Sequence, residues 1–593
     1  MTKSKLTTIF LSLLLALFPI MAGAVPAYPR LILKKQANGR SLRTFLFGDE
    51  YGHYYTTEDG AILSEGTDGL LYYSELTQDG AVKPSSVLAN NAESRDMTEK
   101  ELVARQDRAA ILNAFQSRRE KVLQSMRHAS HPVESKALTK GTVNGLVILV
   151  EYQDIKFSIS SPNLVFDQLY NTDNYTGEYA TGSVRDYFID QSDGAFTPHF
   201  DIVGPVTLPH DRAYYGMEEK GAEMIIDACK KAKEVCHTDF SKYDADGDGY
   251  VDFVFVVYAG YGEAQGGPTE SVWPKAVDLT YENWKTFDGL YLGKSACTCE
   301  LHGNSGAQLD GIGTCCHEFS HILGLPDVYD TSTAATGFGM SDWDVMDHGC
   351  YNNDSKTPAG YTAMDKYTVG WLTPKTLLPA KDIRLNDLQT ANEAYFIVNP
   401  SNKREFYTLE NRQPTKWDQA LPGHGLLVSH VHYVPSLWQS NRVNASTGEY
   451  EHISLVPADN NKSMSTYEGD PYPGTSANTS LTSSSTPALS WHTGSETTSQ
   501  AVTNIREEGQ TIYFDYSDPT TDVAQIAKIA SFHCSTSGHM LTVSNGNGQH
   551  RVSIYSATGS LMATSSEPTV IISLRKGMYI VSNGIDKQKV VIK

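Results

Sequence analysis

The sequence lacks an excess of positive charge, because its 48 Lys and Arg residues stand against 69 Asp and Glu residues, for a formal net charge of −21. Nucleic acids and anionic membrane surfaces select a basic footprint, so the composition argues against both as partners. Cysteine is scarce too: the chain has eight, and the first is Cys229. That position excludes a lipid anchor on an N-terminal cysteine.

Long apolar runs are also rare, and the one that stands out is IFLSLLLALFPIM at 9–21. Lys3 and Lys5 precede it and the small residues Ala22-Gly23-Ala24 follow, a pattern typical of a secretory signal removed after about Ala24. The run is short for a bilayer span, so an N-terminal membrane anchor is the less favoured alternative. No later segment reaches the length of a membrane span. We therefore expect a bacterial protein that is secreted or held at the cell surface.

The length predicts several domains. A signal peptide (1–24) precedes a cysteine-free pro-region (25–138), in which strand-like alternation gives way to a charged helical pattern near 98–128. Mixed strands and helices follow at 139–372, with Ser183 and Asp186 in a capping-box pattern. Short aromatic strands at 373–519 predict a β-sandwich, and 520–593 predicts a small β-domain. The predicted fold class is multidomain α+β.

The stretch CCHEFSHILGLPDVYD at 315–330 combines polar groups with an abrupt helix end. His317 and His321 are four apart, so both imidazoles lie on one face of a helix and suit a zinc ion. Gly324 permits the left-handed conformation that ends a helix, and the proline at 326 prevents its continuation. The chain can then bring Asp327 back as a third ligand, leaving the fourth position for a water that Glu318 can reach.

The motif HEFSHILGLPD resembles the HExxHxxGxxD signature of the M6 zinc metallopeptidases, the immune-inhibitor-A type, a metzincin-like group. SDWDVMDHG resembles the Met-turn of that family, with Met346 beneath the zinc. The resemblance implies a secreted zinc endopeptidase made with a pro-segment, acting on protein or peptide substrates. Ser320 stands where the family often has glycine, and Asp347-His348-Gly349 follow the methionine where small residues are usual. Neither departure removes a ligand.

The implied mechanism is hydrolysis by a metal-activated water, with Glu318 as general base and later proton donor to the leaving amine. His348 is a candidate for stabilising the oxyanion, although a surface histidine in a loop is the more common interpretation. Two rival hypotheses stay open. The first is a surface-binding protein with a degenerate peptidase domain. The second keeps zinc hydrolysis but directs it to a non-peptide amide.

The stretch DADGDGYVD predicts a second cation site. Asp244, Asp246, Asp248 and Asp252 occupy positions 1, 3, 5 and 9 of a calcium loop, with the Tyr250 carbonyl as a further ligand. Phe255 stands where the position-12 glutamate of an EF-hand would be, and a strand follows instead of a helix. The site is therefore a Ca²⁺ loop of another kind, or only an acidic turn before a strand.

Seven of the eight cysteines fall within 229–350. In an exported chain, bridges are one possibility among the pairs Cys297/Cys299 and Cys315/Cys316 and the single Cys350. Buried free thiols and a second zinc cluster are the alternatives, and the CxC and CC spacings disfavour the cluster.

The end of the chain, with VSIYSATGSLM, RKGMYIVSNG and KVVIK, resembles the sorting domain of the type IX secretion system of Bacteroidetes. The resemblance implies the secretion machinery as a partner, and a plain accessory β-domain is the alternative. The region 25–138 is expected to keep the enzyme latent until it is cut near 127–140. Because no cysteine precedes Cys229, a carboxylate such as Asp96 or simple occlusion of the cleft would have to block the metal.

Overall fold

The structure is a computed structural model that describes residues 23–126, 137–217, 220–280, 286–332, 337–445, 450–495, 498–518 and 533–592. Within these ranges, residues 38, 538, 545–550, 557–558, 568 and 584–586 are not described. The predicted signal segment falls outside the described residues apart from Gly23 and Ala24, as do positions 127–136 of the predicted processing segment. In the parts of the chain that it covers, the structure has no helix long and apolar enough to cross a membrane.

The N-terminal region is an antiparallel meander of six strands in chain order. They are β1 (Ile32–Lys35), β2 (Ser41–Asp49), β3 (Gly52–Thr57), β4 (Ile62–Glu65), β5 (Leu71–Leu76) and β6 (Val82–Leu88). The helical pattern that follows forms two helices, α1 (Met97–Arg105) and α2 (Arg108–Met126), rather than one. The break comes at Gln106, because its side chain bonds the main chain of Ile62 and Ser74 instead of facing solvent.

A five-stranded mixed sheet, in the order β11-β14-β10-β7-β8, forms the centre of the next region. Four strands are parallel and β11 pairs antiparallel at the edge. The elements are β7 (Gly141–Glu151), α3 (Pro162–Asn171), α4 (Val184–Gln191), β8 (Phe196–Thr207), α5 (Arg212–Gly216), α6 (Gly221–Cys236), β9 (Tyr250–Val251), β10 (Val254–Tyr261), β11 (Lys275–Asp278), β12 (Thr286–Phe287), β13 (Leu290–Leu292), β14 (Lys294–Leu301), α7 (Gly313–Ile322) and α8 (Ala363–Thr368). The capping box predicted at Ser183 and Asp186 is confirmed at the start of α4.

The inner strands of this sheet are apolar on both faces, as buried parallel strands require. Successive residues Leu146 and Val147 of β7 enter different cores, one packed by α6 and the other by α7. None of the eight cysteines forms a disulfide, which is the free-thiol alternative that the sequence left open. The sheet itself separates Cys297 and Cys299 from the three cysteines at 315, 316 and 350, since the two groups lie in different cores.

The region after α8 contains two sheets, with strand orders β15-β17-β18-β19-β20 and β16-β22-β21. Its elements are β15 (Lys375–Thr376), β16 (Ala380–Leu385), α9 (Leu388–Ala391), β17 (Tyr395–Val398), β18 (Glu405–Arg412), β19 (Gly425–His432), α10 (Pro435–Gln439), β20 (Ile453–Leu455), β21 (Ala501–Glu508) and β22 (Thr511–Ser517). Arg412 of β18 is fully buried and is held by Asp418 and Glu410, which compensate its charge.

The end of the chain belongs to a second compact unit, which takes in 516–593 and the short stretches 378–380 and 499–501. Its strands form a three-stranded sheet, β23-β24-β27, and a four-stranded sheet, β26-β25-β28-β29. They are β23 (His533–Ser537), β24 (Met540–Ser544), β25 (Val552–Ser556), β26 (Leu561–Ser565), β27 (Thr569–Ser573), β28 (Gly577–Ser582) and β29 (Lys587–Ile592). The chain is thus a mixed α/β multidomain protein.

Candidate metal centre and active site

Helix α7 carries two imidazoles and a carboxylate into the core. Every residue of the helix is buried, and its first residue, Gly313, packs so closely on the Cys350 carbonyl that a side chain would collide with it. His317 and His321 have their rings 4.9 Å apart, as the four-residue spacing predicts. The Nδ1 atoms of His317 and His321 lie 2.7 and 2.8 Å from the carbonyl oxygens of Val345 and Leu325. Each Nδ1 therefore carries the proton, and each Nε2 offers a lone pair.

The helix ends as the sequence predicts, and the turn returns Asp327 to the two imidazoles. Gly324 follows the helix at a φ of 102°, a left-handed conformation that favours glycine. Asp327 Oδ1 then lies 3.1 Å from His317 Nε2 and 3.2 Å from His321 Nε2. Asn441 fixes the carboxylate, since its Nδ2 donates to Asp327 Oδ2 at 2.5 Å and its Oδ1 accepts from the Asp327 N–H at 2.6 Å.

The three donor atoms fit a small cation. The two Nε2 atoms lie 3.2 Å apart, close to the ~3.3 Å separation of two ligands about 2.0–2.1 Å from a tetrahedral zinc ion. Asp327 Oδ1 is buried and makes no hydrogen bond with the residues that the structure describes. Two lone pairs and an anionic oxygen that converge without a donor between them are stable only around a positive charge. Imidazole and carboxylate ligands suit zinc.

The electrostatics of the cluster agree with this arrangement. Burial alone would raise the pKa of Asp327, yet the two neighbouring imidazoles hold that pKa below its usual range. Burial lowers the pKa of His317, which favours the neutral, metal-binding form. Burial raises the pKa of the Glu318 carboxyl, and the charge of Asp327 adds to the effect. A carboxyl in that environment favours proton acceptance.

Glu318 contacts a segment of the N-terminal region. Its Oε1 accepts a hydrogen bond of 2.6 Å from the main-chain N–H of Val25. Its Oε2 is buried and has no hydrogen-bond partner within the described ranges. Glu318 is therefore not bonded to either histidine, which is the position expected of a general base rather than a ligand.

The segment 23–28, named here the cleft segment, lies extended across the site. Ala24 bridges Lys275 of β11 in antiparallel fashion, and the Ala276 N–H donates to the Gly23 carbonyl at 2.9 Å. A Cβ at Gly23 would lie 2.3 Å from the His321 ring, so only glycine fits there. The cleft segment thus occupies the edge of the central sheet directly over the candidate metal ligands.

Further hydrogen bonds anchor the cleft segment along its length. Trp273 Nε1 donates to the Val25 carbonyl at 2.9 Å, and the Tyr351 hydroxyl donates to the Pro26 carbonyl at 2.7 Å. The Tyr329 hydroxyl donates to the Ala24 carbonyl at 2.8 Å. Sequence reasoning missed this segment and Tyr329, because no local pattern indicates which distant backbone a tyrosine will meet.

Met346 lies in the turn that supports the ligands. It is fully buried, and its carbonyl accepts from the Val328 N–H at 3.1 Å, which ties the turn to the strand-like stretch after Asp327. His348 lies two residues further along, with its Nδ1 3.5 Å from Asp347 Oδ1. Burial lowers the pKa of His348 to about 4, so its ring is neutral near pH 7. An oxyanion role for His348 stays a prediction.

The acidic loop also brings carboxylates together, although not the whole predicted set. Oxygens of Asp244, Asp246 and Asp252 lie within 4.8 Å of one another. Burial and the neighbouring aspartates raise the pKa of Asp252 to about 7. The Asp248 carboxylate instead accepts from the main-chain N–H of Tyr250, the first residue of β9. The calcium site therefore stays a prediction, with three carboxylates rather than four at its centre.

Asp96, the carboxylate predicted to block the metal, is the N-cap of α1 instead. It caps the N-terminus of α1 by accepting from the Glu99 N–H at 2.9 Å. The residue over the candidate site is Val25, about seventy positions earlier in the sequence.

A helix with two histidines and a glutamate, followed by a returning aspartate, is the arrangement typical of metallopeptidases of the HExxH class. Residues 146–372, which contain all four side chains, match the family described as Immune inhibitor A peptidase M6, catalytic domain. Residues 146–372 are therefore similar to the catalytic domain of the M6 metallopeptidases.

Two relatives support this assignment. The chain is 26% identical to Immune inhibitor A of Bacillus thuringiensis subsp. alesti over 271 residues, 37% of this chain and 38% of the relative. It is 25% identical to Pre-pro-metalloprotease PrtV of Vibrio cholerae serotype O1 (strain M66-2) over 233 residues, 34% of this chain and 25% of the relative. The chain thus spans well under two thirds of the length of either relative.

Proposed function

We propose that the protein is a secreted zinc endopeptidase with Glu318 as its general base. The observation that carries the proposal is the convergence of His317, His321 and Asp327 beside a carboxylate that none of them engages. The three candidate ligands and Glu318 are all present, which argues against a degenerate peptidase domain in a surface-binding protein. An extended polypeptide lying over the site favours peptide bonds, rather than other amides, as the substrate.

His317 and His321 would hold the zinc ion through Nε2 and Asp327 through Oδ1, while Val345, Leu325 and Asn441 orient these ligands. Zinc bound there would lower the pKa of a water molecule and polarise a carbonyl group. Glu318 Oε1 would accept the proton of the attacking water and pass it to the amide nitrogen of the scissile bond. The position of the Val25 nitrogen, 2.6 Å from that oxygen, supports the second transfer.

The experiment that tests this function replaces Glu318 with Ala in the processed protein. Peptide hydrolysis should be abolished while zinc stays near one ion per chain, because Glu318 moves protons and is not a ligand. Ser320→Ala is the matched control on the same helix, since the Ser320 hydroxyl bonds Cys316 and Tyr361 instead of the cleft. Appreciable hydrolysis by Glu318→Ala would contradict the general-base assignment.

We also propose that the N-terminal region keeps the enzyme latent and that the cleft segment is the blocking element. From Val25 onward its main chain bonds Glu318, Trp273 and Tyr351, so no substrate can enter while the segment stays. If export removes 1–24, the amino group of Val25 would replace its amide beside Glu318. The name of the relative Pre-pro-metalloprotease PrtV is consistent with a pro-segment.

Two further proposals concern other parts of the chain. The loop with Asp244, Asp246 and Asp252 would bind Ca²⁺, because carboxylates this close repel one another unless a cation lies among them. The unit built by β23–β29 would serve as a sorting domain that the secretion machinery recognises. Its support is the sequence resemblance at 552–593 together with the signal pattern at 1–24.

A further inference from the structure

In the chain that still carries residues 23 and 24, before any removal of the signal segment, the Ala24–Val25 peptide bond lies between two functional groups of the site. The Val25 N–H donates to Glu318 Oε1 at 2.6 Å, and the Ala24 carbonyl accepts from the Tyr329 hydroxyl at 2.8 Å. The amide nitrogen and the carbonyl oxygen of the same bond are therefore each engaged by one side chain.

The cleft segment is bound as a peptide strand is bound. It runs antiparallel to the edge strand β11, and its successive carbonyls at 23, 24, 25 and 26 all accept hydrogen bonds from the catalytic region. Main-chain hydrogen bonds to a sheet edge are a recurring way of holding an extended peptide. The register of the segment consequently indicates where a substrate peptide bond would lie.

Peptide hydrolysis needs two kinds of assistance at the scissile bond. The nitrogen must receive a proton before it leaves, and the carbonyl oxygen gains negative charge when water adds to the carbon. Glu318 stands at the nitrogen. At the oxygen, the group that the structure provides from the protein side is the Tyr329 hydroxyl.

We propose that Tyr329 is a catalytic residue, whose hydroxyl donates a hydrogen bond to the carbonyl oxygen of the scissile peptide bond. The proposal rests on the endopeptidase function proposed above. The oxygen of water bonds to the carbonyl carbon, and the π electron pair moves to the carbonyl oxygen. The electron pair then returns from the oxygen to re-form the carbonyl as the C–N bond breaks. The nitrogen takes the proton that Glu318 received from the water, which leaves a carboxylic acid and an amine. Tyr329 keeps its proton and stabilises the transient charge.

Main-chain hydrogen bonds of the preceding residue fix the position of Tyr329. The preceding residue, Val328, donates its N–H to the Met346 carbonyl at 3.1 Å, and its own carbonyl accepts from Asn444 Nδ2 at 2.7 Å. Tyr329 lies two positions after Asp327, so one short turn supplies both a metal ligand and the hydroxyl. Its side chain is buried beneath the cleft segment.

The competing interpretation is that Tyr329 only anchors the cleft segment, as Tyr351 does at Pro26. The two interpretations differ in what they predict for the processed enzyme. An anchor affects how tightly the segment or a substrate binds, whereas an oxyanion donor affects the rate of the bound substrate.

The test compares Tyr329→Phe with the unmodified chain, both processed by limited trypsin cutting of the basic segment 117–140. The matched control is Tyr187→Phe, which loses a buried hydroxyl bond to the Ala359 carbonyl away from the cleft. Hydrolysis of a quenched fluorogenic peptide gives kcat and KM. Zinc content and the Kd of a phosphinic peptide are measured alongside. The phosphinic peptide copies residues 23–28, with tetrahedral phosphorus in place of the Ala24 carbonyl carbon.

We expect kcat of Tyr329→Phe to fall about a hundredfold, as for the loss of one oxyanion donor, with KM and zinc content little changed. The Kd of the phosphinic peptide should rise by a similar factor, and Tyr187→Phe should alter neither value. Tyr329→Phe could lose zinc or fold poorly. In that case Tyr329→His is measured instead, because its imidazole retains a hydrogen-bond donor, and we expect it to recover part of the lost kcat.

Unchanged kcat and phosphinic-peptide Kd in Tyr329→Phe would overturn the proposal and leave Tyr329 as an anchor. A larger loss of kcat in His348→Ala than in Tyr329→Phe would return the role to His348. If the unmodified chain, processed and loaded with zinc, hydrolyses no peptide, the proposed function itself fails. The phosphinic Kd then still decides whether Tyr329 contacts that oxygen.

Discussion

At the scale of single residues, the candidate metal centre depends on Asp327. The two histidines come from one helix, but the third ligand arrives only because the chain reverses at Gly324. Asn441 then holds the carboxylate by two hydrogen bonds. Replacing Asp327 should therefore cost more free energy than the loss of one metal ligand, because the amide of Asn441 loses its hydrogen-bond partner as well.

We expect Asp327→Asn to weaken zinc binding by more than about a hundredfold, since even outer-shell substitutions cost 10–100-fold, and to lower peptidase activity in parallel. Zinc retained per chain after dialysis against a chelator is the measurement. Asp330→Asn is the control: Asp330 accepts from the Ser332 and Gly337 N–H groups, so zinc should stay bound. Zinc lost from Asp330→Asn and kept by Asp327→Asn would show that the third ligand had been misassigned.

Sequence reasoning anticipated that the three side chains converge, because their convergence follows from local rules. The four-residue spacing of His317 and His321 sets a helix face, and glycine with proline ends the helix before Asp327. Tyr329 and Asn441 escaped prediction because their roles depend on contacts with residues more than one hundred positions away. Asp96 was predicted wrongly as a blocking residue for the same reason. Its local role, capping α1, follows from nearby residues, whereas a contact with the cleft would depend on the tertiary fold.

At the scale of elements, strands and helices with a strong hydrophobic period were predictable, whereas their interruptions were not. The mixed strands and helices predicted at 139–372 include the buried strand β7 and the amphipathic helix α6. The charged pattern at 98–128 divides into α1 and α2 because Gln106 bonds the N-terminal sheet. A tertiary contact of that kind leaves no period in the sequence.

The acidic loop before β9 is an element whose stability should depend on calcium. We expect millimolar Ca²⁺ to raise the melting temperature by several degrees, because binding to the folded state alone stabilises it, by ~2.7 kcal/mol at a hundred times Kd. Replacing Asp244 and Asp252 with Ala should abolish the gain. Asp248→Ala is the control that should retain it, since that carboxylate supports the turn at Tyr250. Identical melting curves with calcium and with chelator would exclude the site.

At the scale of the whole molecule, the N-terminal region and the catalytic region contact each other at several points. The cleft segment lies over the ligands, and His53 Nε2 lies 3.0 Å from the Glu263 carboxylate beside Trp273. Asn304 and Thr269 add hydrogen bonds to Leu33 and Glu65. The proposed inhibition therefore should not depend on one side chain.

We expect the intact chain to be nearly inactive and to become strongly active once cut near 127–140, because the cut lets the N-terminal region leave the cleft. The comparison is between a chain kept whole by replacing the basic residues of 117–140 with Gln and the cut protein, both checked by mass. Within the whole chain, Trp273→Phe should raise residual activity, because it removes the bond to the Val25 carbonyl, and Tyr187→Phe should not. If the whole chain hydrolyses peptide as fast as the cut one, the N-terminal region is no inhibitor.

The measurement that tests the central claim most directly is casein hydrolysis by the processed protein before and after removal of its metal. The account predicts hydrolysis at one zinc ion per chain, its loss when a chelator removes the ion, and its return when zinc is added back, because His317, His321 and Asp327 lie ready to rebind it. Hydrolysis that persists in the metal-free protein, or its absence in processed protein with zinc bound, would contradict the account.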